Sequence, residues 1–510
     1  MYQLGKGHSY SAVDRFCLAG GTGNAESALS RTGAHLYPKD MHDFLRLGAE
    51  RDGVLEETFQ TVNEMWQGQD KAREGEPEFT EATVQLLQET LPEQGMKATD
   101  ALGLAAEVLD QSIAQSRPRF LAYIGSSGLE IGAVADFLAA SYDINVALNS
   151  KASTMLEVQT SKWLGDFIGF PNSRGLFTSG GTVSNITGLA VARQKAVPDS
   201  RENGNSIPLA VYCSSEAHYS NRRAVELLGL GNKAIRSIPI DAERRMIPAD
   251  LEKSIKEDIA QGVKPMAIIA SAGTTLTGAV DPLREIARIA KEYNVWLHVD
   301  GAYGAPAAGA PSARPLFDGL ELADSVTIDA HKWLFVPKAC SIVLVRDYAA
   351  LAETFGHNEA YMPHNTEEPN PVDVTLEYSR PLRALKLWLG FKTHGAAQFR
   401  EALEHDLELA QITYDRASVN PHYRVMPHRP QLSVVPLQYI PEGMTDPDQI
   451  SEHNAKLCKA IVEDGRVYLS PAIIDGHSWL RPCYTNFRTE VSDVDVLFEV
   501  IEELSHKIRG

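Results

Sequence analysis

Cysteine is scarce in this sequence, and the few cysteines present are not arranged in pairs. The 510 residues include 5 cysteines, and no two of them have CxxC spacing. Cysteine-based zinc sites and redox motifs need such close spacing, and the histidine-based zinc motif HExxH is also missing. We therefore expect neither a metal site nor a disulfide framework. Isolated cysteines are typical of a reducing compartment, which predicts a cytoplasmic protein.

Long apolar runs and clustered positive charge are missing too. No run of eighteen apolar residues occurs, so we expect no membrane span. The N-terminal stretch MYQLGKGHSYSAVDRF lacks the apolar core of a signal peptide. The formal net charge is −19, and no basic stripe would neutralise the phosphates of a nucleic acid. We therefore predict neither a membrane nor a nucleic-acid partner.

The chain is too long for one compact core, so several domains are expected. Residues 1–128 read as an N-terminal arm, rich in glycine and serine, followed by a segment with helical periodicity. Residues 129–395 alternate between strand and helix patterns, which predicts a large α/β domain. Residues 396–510 begin with a long helical pattern and continue into short strands, which predicts a small α+β domain.

Six apolar runs in the middle of the chain are rich in β-branched residues, and most are followed by a turn signal and a helical pattern. They are GLFTSGGT at 175, LAVYCSSEAH at 209, MAIIASAGTT at 266, VWLHVDGAY at 295, SVTIDAHKW at 325 and CSIVLVRD at 340. Such repetition predicts a mostly parallel sheet covered on both faces. The runs at 325 and 340 are too close for a helical crossover, so we expect an antiparallel neighbour there.

Five of these runs end in polar or glycine residues although their bodies are apolar. Ligands of open α/β sheets bind beyond the carboxyl ends of the strands, so the five ends predict a single site. The ends are Ser179-Gly180-Gly181-Thr182, Ser214-Ser215-Glu216-Ala217-His218, Gly273-Thr274-Thr275, Asp300 and His331-Lys332.

Each strand end, taken alone, has an ordinary structural interpretation. The glycine turn at Gly181 alone favours an ordinary helix N-cap, and its functional alternative is a phosphate cradle. Asp300 alone favours a helix cap or an arginine partner, and His218 alone favours a satisfied structural histidine. Lys332 alone favours a solvated lysine, although it ends a strand that is expected to be buried.

Together these residues match what pyridoxal 5'-phosphate (PLP) requires. The cofactor needs an amine for a Schiff base, which Lys332 supplies, and a carboxylate beside the pyridine nitrogen, which Asp300 supplies. It also needs an anion site for the phosphate and a flat group against the ring, for which the turn at Gly181 and His218 are suitable. The sequence therefore predicts a PLP site.

Three segments resemble the group II PLP-dependent amino-acid decarboxylases, a family that includes the aromatic-L-amino-acid, glutamate and histidine decarboxylases. They are FTSGGTVSN at 177–185, HVDGAYG at 298–304 and DSVTIDAHKWLFVPKACSIVLVRD at 324–347. The resemblance covers about 115 to 510 and is most specific in the lysine segment. It implies PLP fold type I, a homodimer with active sites at the interface, and removal of the α-carboxylate of an amino acid as CO2.

The resemblance also implies a role for each site residue. Lys332 would bind the cofactor aldehyde, Asp300 the pyridine nitrogen, and His218 would stack on the ring. Tyr361, in HNEAYMPHN, falls where the family carries a mobile-loop tyrosine that returns a proton after CO2 leaves. The remaining cofactor-binding candidates are Gly181, Thr182, Val183 and His331 at the phosphate, Ala302 on the other ring face, and Thr275 and Asp281 lining the pocket.

Departures from the family pattern bear on the substrate. Tyr123 and Ile124, in RPRFLAYIGSSG, are candidate substrate contacts, but Ile124-Gly125 stands where the aromatic enzymes tend to show an aromatic residue and proline. Lys338 replaces an aromatic residue, and Arg488, in NFRTE, suits either a substrate carboxylate or a structural ion pair. We predict decarboxylation of an aromatic L-amino acid, with a non-aromatic substrate such as an acidic one as the alternative.

Other functions fit parts of the same pattern. A different PLP lyase, an aldolase, an aminotransferase or an aldehyde synthase would use the same cofactor residues, because bond orientation selects the outcome. The related aldehyde synthases alter the loop tyrosine or the stacking histidine, and this chain has both Tyr361 and His218. A dinucleotide fold is disfavoured because GGTGN at 20–24 does not complete GxGxxG. A catalytically silent relative is disfavoured by the presence of Lys332, Asp300 and His218.

Overall fold

The computed structural model describes residues 45–125, 127–357 and 370–509. Within these ranges no helix is both long enough and apolar enough to cross a bilayer. The α-helices are α1 Arg51–Gln69, α2 Glu81–Leu86, α3 Ala98–Asp110, α4 Glu130–Ser141, α5 Ala152–Ile168, α6 Gly181–Ala196, α7 Ser200–Asn203, α8 Tyr219–Leu227, α9 Pro248–Ala260, α10 Leu283–Tyr293, α11 Ala349–Phe355, α12 Ala384–Val419, α13 Pro447–Asp464 and α14 Val491–Arg509.

A seven-stranded sheet is formed by strands between residues 174 and 345. Its strands are β1 Arg174–Thr178, β2 Leu209–Ser214, β3 Ile235–Ile238, β4 Lys264–Ser271, β5 Trp296–Asp300, β6 Ser325–Ile328 and β7 Ser341–Val345. Their order is β1-β7-β6-β5-β4-β2-β3, and β7 runs antiparallel to both of its neighbours. The other pairs are parallel. The predicted mostly parallel α/β fold, with an antiparallel pair at 325 and 340, is confirmed.

The sheet brings five strand ends to one edge. Because β7 is antiparallel to both β1 and β6, the carboxyl ends of β1 and β6 point the same way as those of β2, β4 and β5. The strand bodies are buried on both faces, with α5, α6, α9 and α10 packed against them. The polar residues that follow these strands therefore collect beyond a single edge of the sheet.

Strand β3 is a difference from the sequence prediction, which gave six strands to this sheet. It is a four-residue edge strand with the sequence Ile-Arg-Ser-Ile, and only Ile238 is fully buried. A short edge strand that is half exposed carries no continuous apolar run, so it lacks the pattern that identified its neighbours.

The C-terminal part of the chain has its own sheet and core. Strands β8 Tyr423–Val425, β9 Leu437–Tyr439, β10 Ser470–Ile474 and β11 His477–Arg481 form an antiparallel sheet in the order β10-β11-β9-β8. Helices α12, α13 and α14 contribute apolar side chains to the second core. Helix α12 is interrupted at Gly395, whose φ of 70° is not helical. The domain boundary between 395 and 396 stays a prediction, and Phe399, Leu403 and Leu407 of α12 pack in the core of the seven-stranded sheet.

Candidate active site

Lys332 lies on a loop that leaves β6 and returns to β7. The loop closes on itself, because the His331 N–H donates to the carbonyl of Cys340 and the Val336 N–H donates to that of Ala330. The Lys332 side chain is 24% exposed, and its Nζ lies 3.0 Å from the Asp329 carboxylate. A buried carboxylate thus holds the amine at the sheet edge rather than letting it extend into bulk water.

Asp300, at the end of β5, is buried and accepts three hydrogen bonds. Its Oδ2 accepts from Nδ2 of Asn185 at 3.0 Å and from Nδ2 of Asn221 at 2.8 Å. Its Oδ1 accepts from the N–H of Ala302 at 3.3 Å. Three donors from separate parts of the chain fix the orientation of this carboxylate. Such a carboxylate suits a partner that must stay protonated.

Gly181 opens α6 between Asp329 and Ala302. A Cβ atom on Gly181 would lie 2.9 Å from Asp329 Oδ2 and 3.2 Å from the Ala302 Cβ, which is closer than normal contact. Only glycine therefore permits this approach of the helix start to the Lys332 loop. The first N–H groups of a helix have no intrahelical partner, so the start of α6 is a ready anion site.

His218 caps α8 and is largely buried. Its Nδ1 lies 2.7 Å from Oγ of Ser220 and accepts the Ser220 N–H at 3.3 Å. Burial lowers the pKa of His218, while the charges of Asp300 and Asp329 oppose this effect and that of Lys332 adds to it. The imidazole is therefore neutral near pH 7. Since the charges of Asp300, Asp329 and Lys332 all act on His218, these side chains lie near one another.

The residues present fit PLP. An amine, a buried carboxylate and an open helix start lie together, joined by the Lys332–Asp329 contact, the close approach of Gly181 to Asp329 and the Ala302–Asp300 hydrogen bond. Among the described residues, Oδ1 of Asp329 and Oδ1 of Asn221 are buried without a hydrogen-bond partner. Buried acceptors of this kind are typical of a site that is completed by a ligand.

The remaining cofactor candidates lie at different distances from this centre. Thr182 and Val183 form the first turn of α6, and His331 Nε2 lies 3.8 Å from Asp329 Oδ2. Thr275 is half-buried and its carbonyl accepts from Arg481 of β11. Asp281 is fully buried and accepts the N–H groups of Met246 and Ser271, so its oxygens are engaged by the backbone rather than directed at Lys332.

The predicted substrate contacts do not form a single cluster in the way that the cofactor candidates do. Tyr123 and Ile124 both have a φ of 56°, a left-handed conformation that side chains rarely adopt, and Tyr123 is 60% exposed while Ile124 is buried. Arg488 pairs with Asp70 at 3.0 Å and with Glu130 at 3.6 Å, so its guanidinium already has carboxylate partners. Tyr361 lies outside the described residues.

Sequence reasoning did not single out Asn185, Asn221 or Asp329. Asn185 lies on α6 and Asn221 on α8, and both reach Asp300 because these two helices pack against each other. No local pattern signals such contacts. Asp329 had a usable signal, because an acidic residue immediately after a buried strand and three positions before a lysine is a natural ion-pair partner.

Comparison with known proteins decides the family. The model described as pyridoxal-dependent decarboxylase conserved domain matches residues 80–439. The chain belongs to the pyridoxal-dependent decarboxylase family. The chain is thus a PLP-dependent decarboxylase, and PLP is its cofactor, as the sequence predicts.

Individual relatives of this decarboxylase agree with the family assignment. An aromatic-L-amino-acid decarboxylase of Bacillus atrophaeus is 36% identical over 430 residues, covering 83% of this chain and 88% of the relative. A phenylacetaldehyde synthase of Petunia hybrida is 30% identical over 408 residues, covering 75% and 80% of the two chains. A solved structure of Oryza sativa TDC with PLP and tryptamine has a TM-score of 0.84 at 23% identity, covering 90% and 98% of the two chains, and shows the same fold.

Proposed function

We propose that this decarboxylase removes the α-carboxylate of an aromatic L-amino acid as CO2 and releases the amine. The observation that carries the proposal is that Lys332, Asp300 and the start of α6 meet at one sheet edge. The similarity to an aromatic-L-amino-acid decarboxylase supports the substrate class. Lys332 would hold the cofactor aldehyde, Asp300 the pyridine nitrogen, and the N–H groups at Gly181 the phosphate.

Asp300, Asp329 and His218 would each have a separate role in the reaction. PLP, when bound, supplies a ring that accepts the electron pair of the broken bond. Asp300 would hold the pyridine nitrogen with a carboxylate, which favours the protonated form of that nitrogen. Asp329 keeps the Lys332 amine at the sheet edge, where it meets the incoming amino group. His218 is neutral and lies beside these groups, so it can hold or return a proton.

A second substrate class is favoured by one side chain. Lys338 lies on the Lys332 loop, and its Nζ donates to the neutral Oε1 of Gln115. Lys338 is exposed, and its pKa is lowered by desolvation and by the charge of Lys332, an effect that the charge of Asp329 opposes. Such a cation would attract a substrate with an acidic side chain. Aspartate and glutamate therefore belong in the substrate panel.

We also propose that the decarboxylase acts as a homodimer in the cytoplasm. Helix α4 presents Val134, Phe137 and Leu138 on one exposed face, at a spacing that places them side by side. Contiguous exposed apolar side chains of this kind are typical of protein interfaces. The four cysteines of the described residues are free and buried, which suits a reducing compartment.

The function is tested by supplying purified protein and PLP with each standard amino acid and measuring CO2, amine and oxygen uptake. We expect CO2 and amine in equal amounts from an aromatic amino acid, with no oxygen consumed. Release of aldehyde and ammonia with oxygen uptake would instead assign the activity of an aldehyde synthase. CO2 from aspartate or glutamate alone would assign the acidic substrate class.

The attachment of the cofactor is tested separately. Reduction of the PLP complex with borohydride, followed by peptide mapping, should place the cofactor on Lys332. Lys332→Ala should lose both this adduct and the visible absorption band of bound PLP. Lys338→Ala is the matched control, because Lys338 lies on the same loop but directs its amine to Gln115, and it should keep both. An adduct on Lys338 would overturn the assignment.

A further inference from the structure

A chain of hydrogen bonds runs behind the cofactor site, from the indole of Trp296 to the carboxylate of Asp300. Trp296 Nε1 donates to Oγ of Ser325 at 2.8 Å. Ser325 Oγ lies 2.8 Å from Nδ1 of His298, and His298 Nε2 lies 3.0 Å from Oδ1 of Asn185. Asn185 Nδ2 then donates to Asp300 Oδ2 at 3.0 Å. His298 and Asn185, in the middle of the chain, are both fully buried.

The two end groups, Trp296 and Asp300, fix the donor-to-acceptor direction of every hydrogen bond in this series. An indole N–H can only donate, and both oxygens of the Asp300 carboxylate accept hydrogen bonds. Since Asn185 must turn its Nδ2 to Asp300, its Oδ1 faces His298 and requires a proton on Nε2 of that ring. Burial lowers the pKa of His298 to about 4, so the ring is neutral and its Nδ1 accepts from Ser325. No link of the chain is left with two facing donors or two facing acceptors.

The series of hydrogen bonds branches at the side chain of Asn185. Its Nδ2 also lies 3.1 Å from Oγ of Ser220, and that oxygen lies 2.7 Å from Nδ1 of His218. Because Ser220 accepts from Asn185 and the Ser220 N–H already donates to Nδ1, the hydroxyl proton is directed to Nδ1 of His218. Nδ1 is then an acceptor, and the proton of the neutral imidazole resides on Nε2.

We propose that Asn185 is a positioning residue for both candidate catalytic groups: one N–H holds Asp300 as an acceptor, and the other orients the Ser220 hydroxyl as a second donor to Nδ1 of His218, beside the Ser220 N–H. The side chain of Asn185 touches neither the Lys332 amine nor the reacting atoms, so it acts through its neighbours. The proposal rests on the PLP site described above. It adds that Asn185, through Ser220, contributes to the proton position on the imidazole of His218.

Asn221 provides a matched comparison. It donates to the same Oδ2 of Asp300, at 2.8 Å, but no hydrogen bond joins it to Ser220 or to His298 among the described residues. Asn185→Ala and Asn221→Ala therefore remove the same type of donor from Asp300 without a change in charge. Only Asn185→Ala also releases Ser220.

The experiment uses the PLP-loaded protein and two readouts. The first is the dissociation constant of PLP, which both alanine variants should raise by about tenfold, because Asp300 loses one of its two amide donors in each. The second is the midpoint of the pH titration of the bound-cofactor absorbance, followed below pH 8. The charged groups that face His218 are Asp300, Asp329, Lys332 and Arg223, and none of them is altered in any of the variants.

Ser220→Ala measures the link to His218 directly. A donor to Nδ1 favours the neutral ring, so its loss should raise the midpoint by about half a pH unit or more, with PLP affinity changed less than threefold. In the Asn221→Ala background the same shift should recur in full. In the Asn185→Ala background it should be clearly smaller, because the hydroxyl is no longer oriented.

The outcomes separate the two proposals. If the unsubstituted protein binds no PLP, the site itself is wrong. If it binds PLP but Ser220→Ala shifts the midpoint equally in both alanine backgrounds, the branch through Asn185 is wrong. Should Asn185→Ala fail to fold, Ser220→Ala alone still decides, since an unchanged midpoint in that variant overturns the link between Ser220 and the His218 proton.

Discussion

At the scale of single residues, Gly181 shows how closely the helix start approaches the Lys332 loop. A side-chain carbon there would meet the Asp329 carboxylate at 2.9 Å and Ala302 at 3.2 Å. Gly181→Ala should therefore push the phosphate end of the site away from Lys332 and raise the PLP dissociation constant about tenfold or more, as expected for overpacking. Fluorescence titration of the purified variant with PLP measures this change.

The neighbouring glycine is the control. A Cβ on Gly180 would have no heavy atom within 4 Å, and its backbone is extended, a conformation open to any residue. Gly180→Ala should bind PLP within about threefold of the unsubstituted protein. Equal losses in the two variants would show that the turn tolerates no added carbon at either position, and would remove the specific role of the Asp329 contact.

Asp406 links the stability of the site to pH. It is fully buried on α12 and accepts the indole N–H of Trp333, next to Lys332, at 2.8 Å. Burial raises the pKa of Asp406 to about 7, against about 4 in the unfolded chain. Between these values the folded protein binds the extra proton, so the free energy of unfolding falls as pH rises from about 4 to 7.

Asp406→Asn should remove this contribution, since the amide oxygen still accepts from Trp333 but cannot ionise. Relative to the unsubstituted protein, the variant should gain stability on going from pH 5 to pH 8, by up to about 1.4 kcal/mol for each pH unit crossed below 7. Denaturant titrations of both proteins at the two pH values measure this difference. A constant difference across the range would contradict the raised pKa.

Residue by residue, the sequence predicted the groups that end strands and did not predict those that reach the site from helices. Lys332 and Asp300 were accessible because a polar residue stands out after a buried strand. Asn185 and Asn221 were not accessible, because their contacts depend on how α6 and α8 pack on the sheet. The partners of Arg488 were likewise hidden, since Asp70 lies in a segment far along the chain.

At the scale of elements, a buried ion pair connects β1 to α5 and to the segment before α12. Arg380 lies just before α12, and its Nη1 pairs with Glu157 of α5 at 3.0 Å and donates to the carbonyl of Phe177 at 3.1 Å. Phe177 belongs to β1, which leads into the turn at Gly181. Removing one member of a buried pair leaves an unpaired charge, which costs about 3–5 kcal/mol.

Arg380→Met should therefore lower the free energy of unfolding by about 3–5 kcal/mol in denaturant titrations. Arg429→Met is the control, because Arg429 pairs with Asp415 at 2.6 Å on the surface, where both side chains are exposed. The control should lose less than about 1 kcal/mol. Similar losses in the two variants would mean that Arg380 acts by packing alone and that the charge of Glu157 is relieved elsewhere.

Element prediction succeeded where burial imposed a pattern on the sequence. The strands that carry the site are buried on both faces and read as continuous apolar runs. Strands β3 and β8 have only four and three residues and include exposed side chains, so neither shows the continuous apolar run that predicts a buried strand. Helix α12 was predicted from its second half only, since the break at Gly395 separates two amphipathic patterns.

At the scale of the whole molecule, exposed apolar side chains lie on α4, just after it and near the start of α5. Besides Val134, Phe137 and Leu138 of α4, the side chains of Tyr142 and Met155 are exposed nearby along the chain. Isolated exposed apolar residues are ordinary, but several within residues 134–155 favour a surface that is covered in the assembled protein. The proposed homodimer would place a second copy against this face.

Met155 offers a test that does not disturb the fold of one subunit, because its side chain is 74% exposed near the start of α5. Met155→Glu would bury a charge in the proposed interface, so the dimer should dissociate at protein concentrations where the unsubstituted chain is dimeric. Val419→Glu is the control, since Val419 is 83% exposed at the far end of α12. Sedimentation velocity should give a monomer for the first variant and a dimer for the second. A dimer in both would move the interface away from α5, and a monomer of the unsubstituted chain would exclude the homodimer.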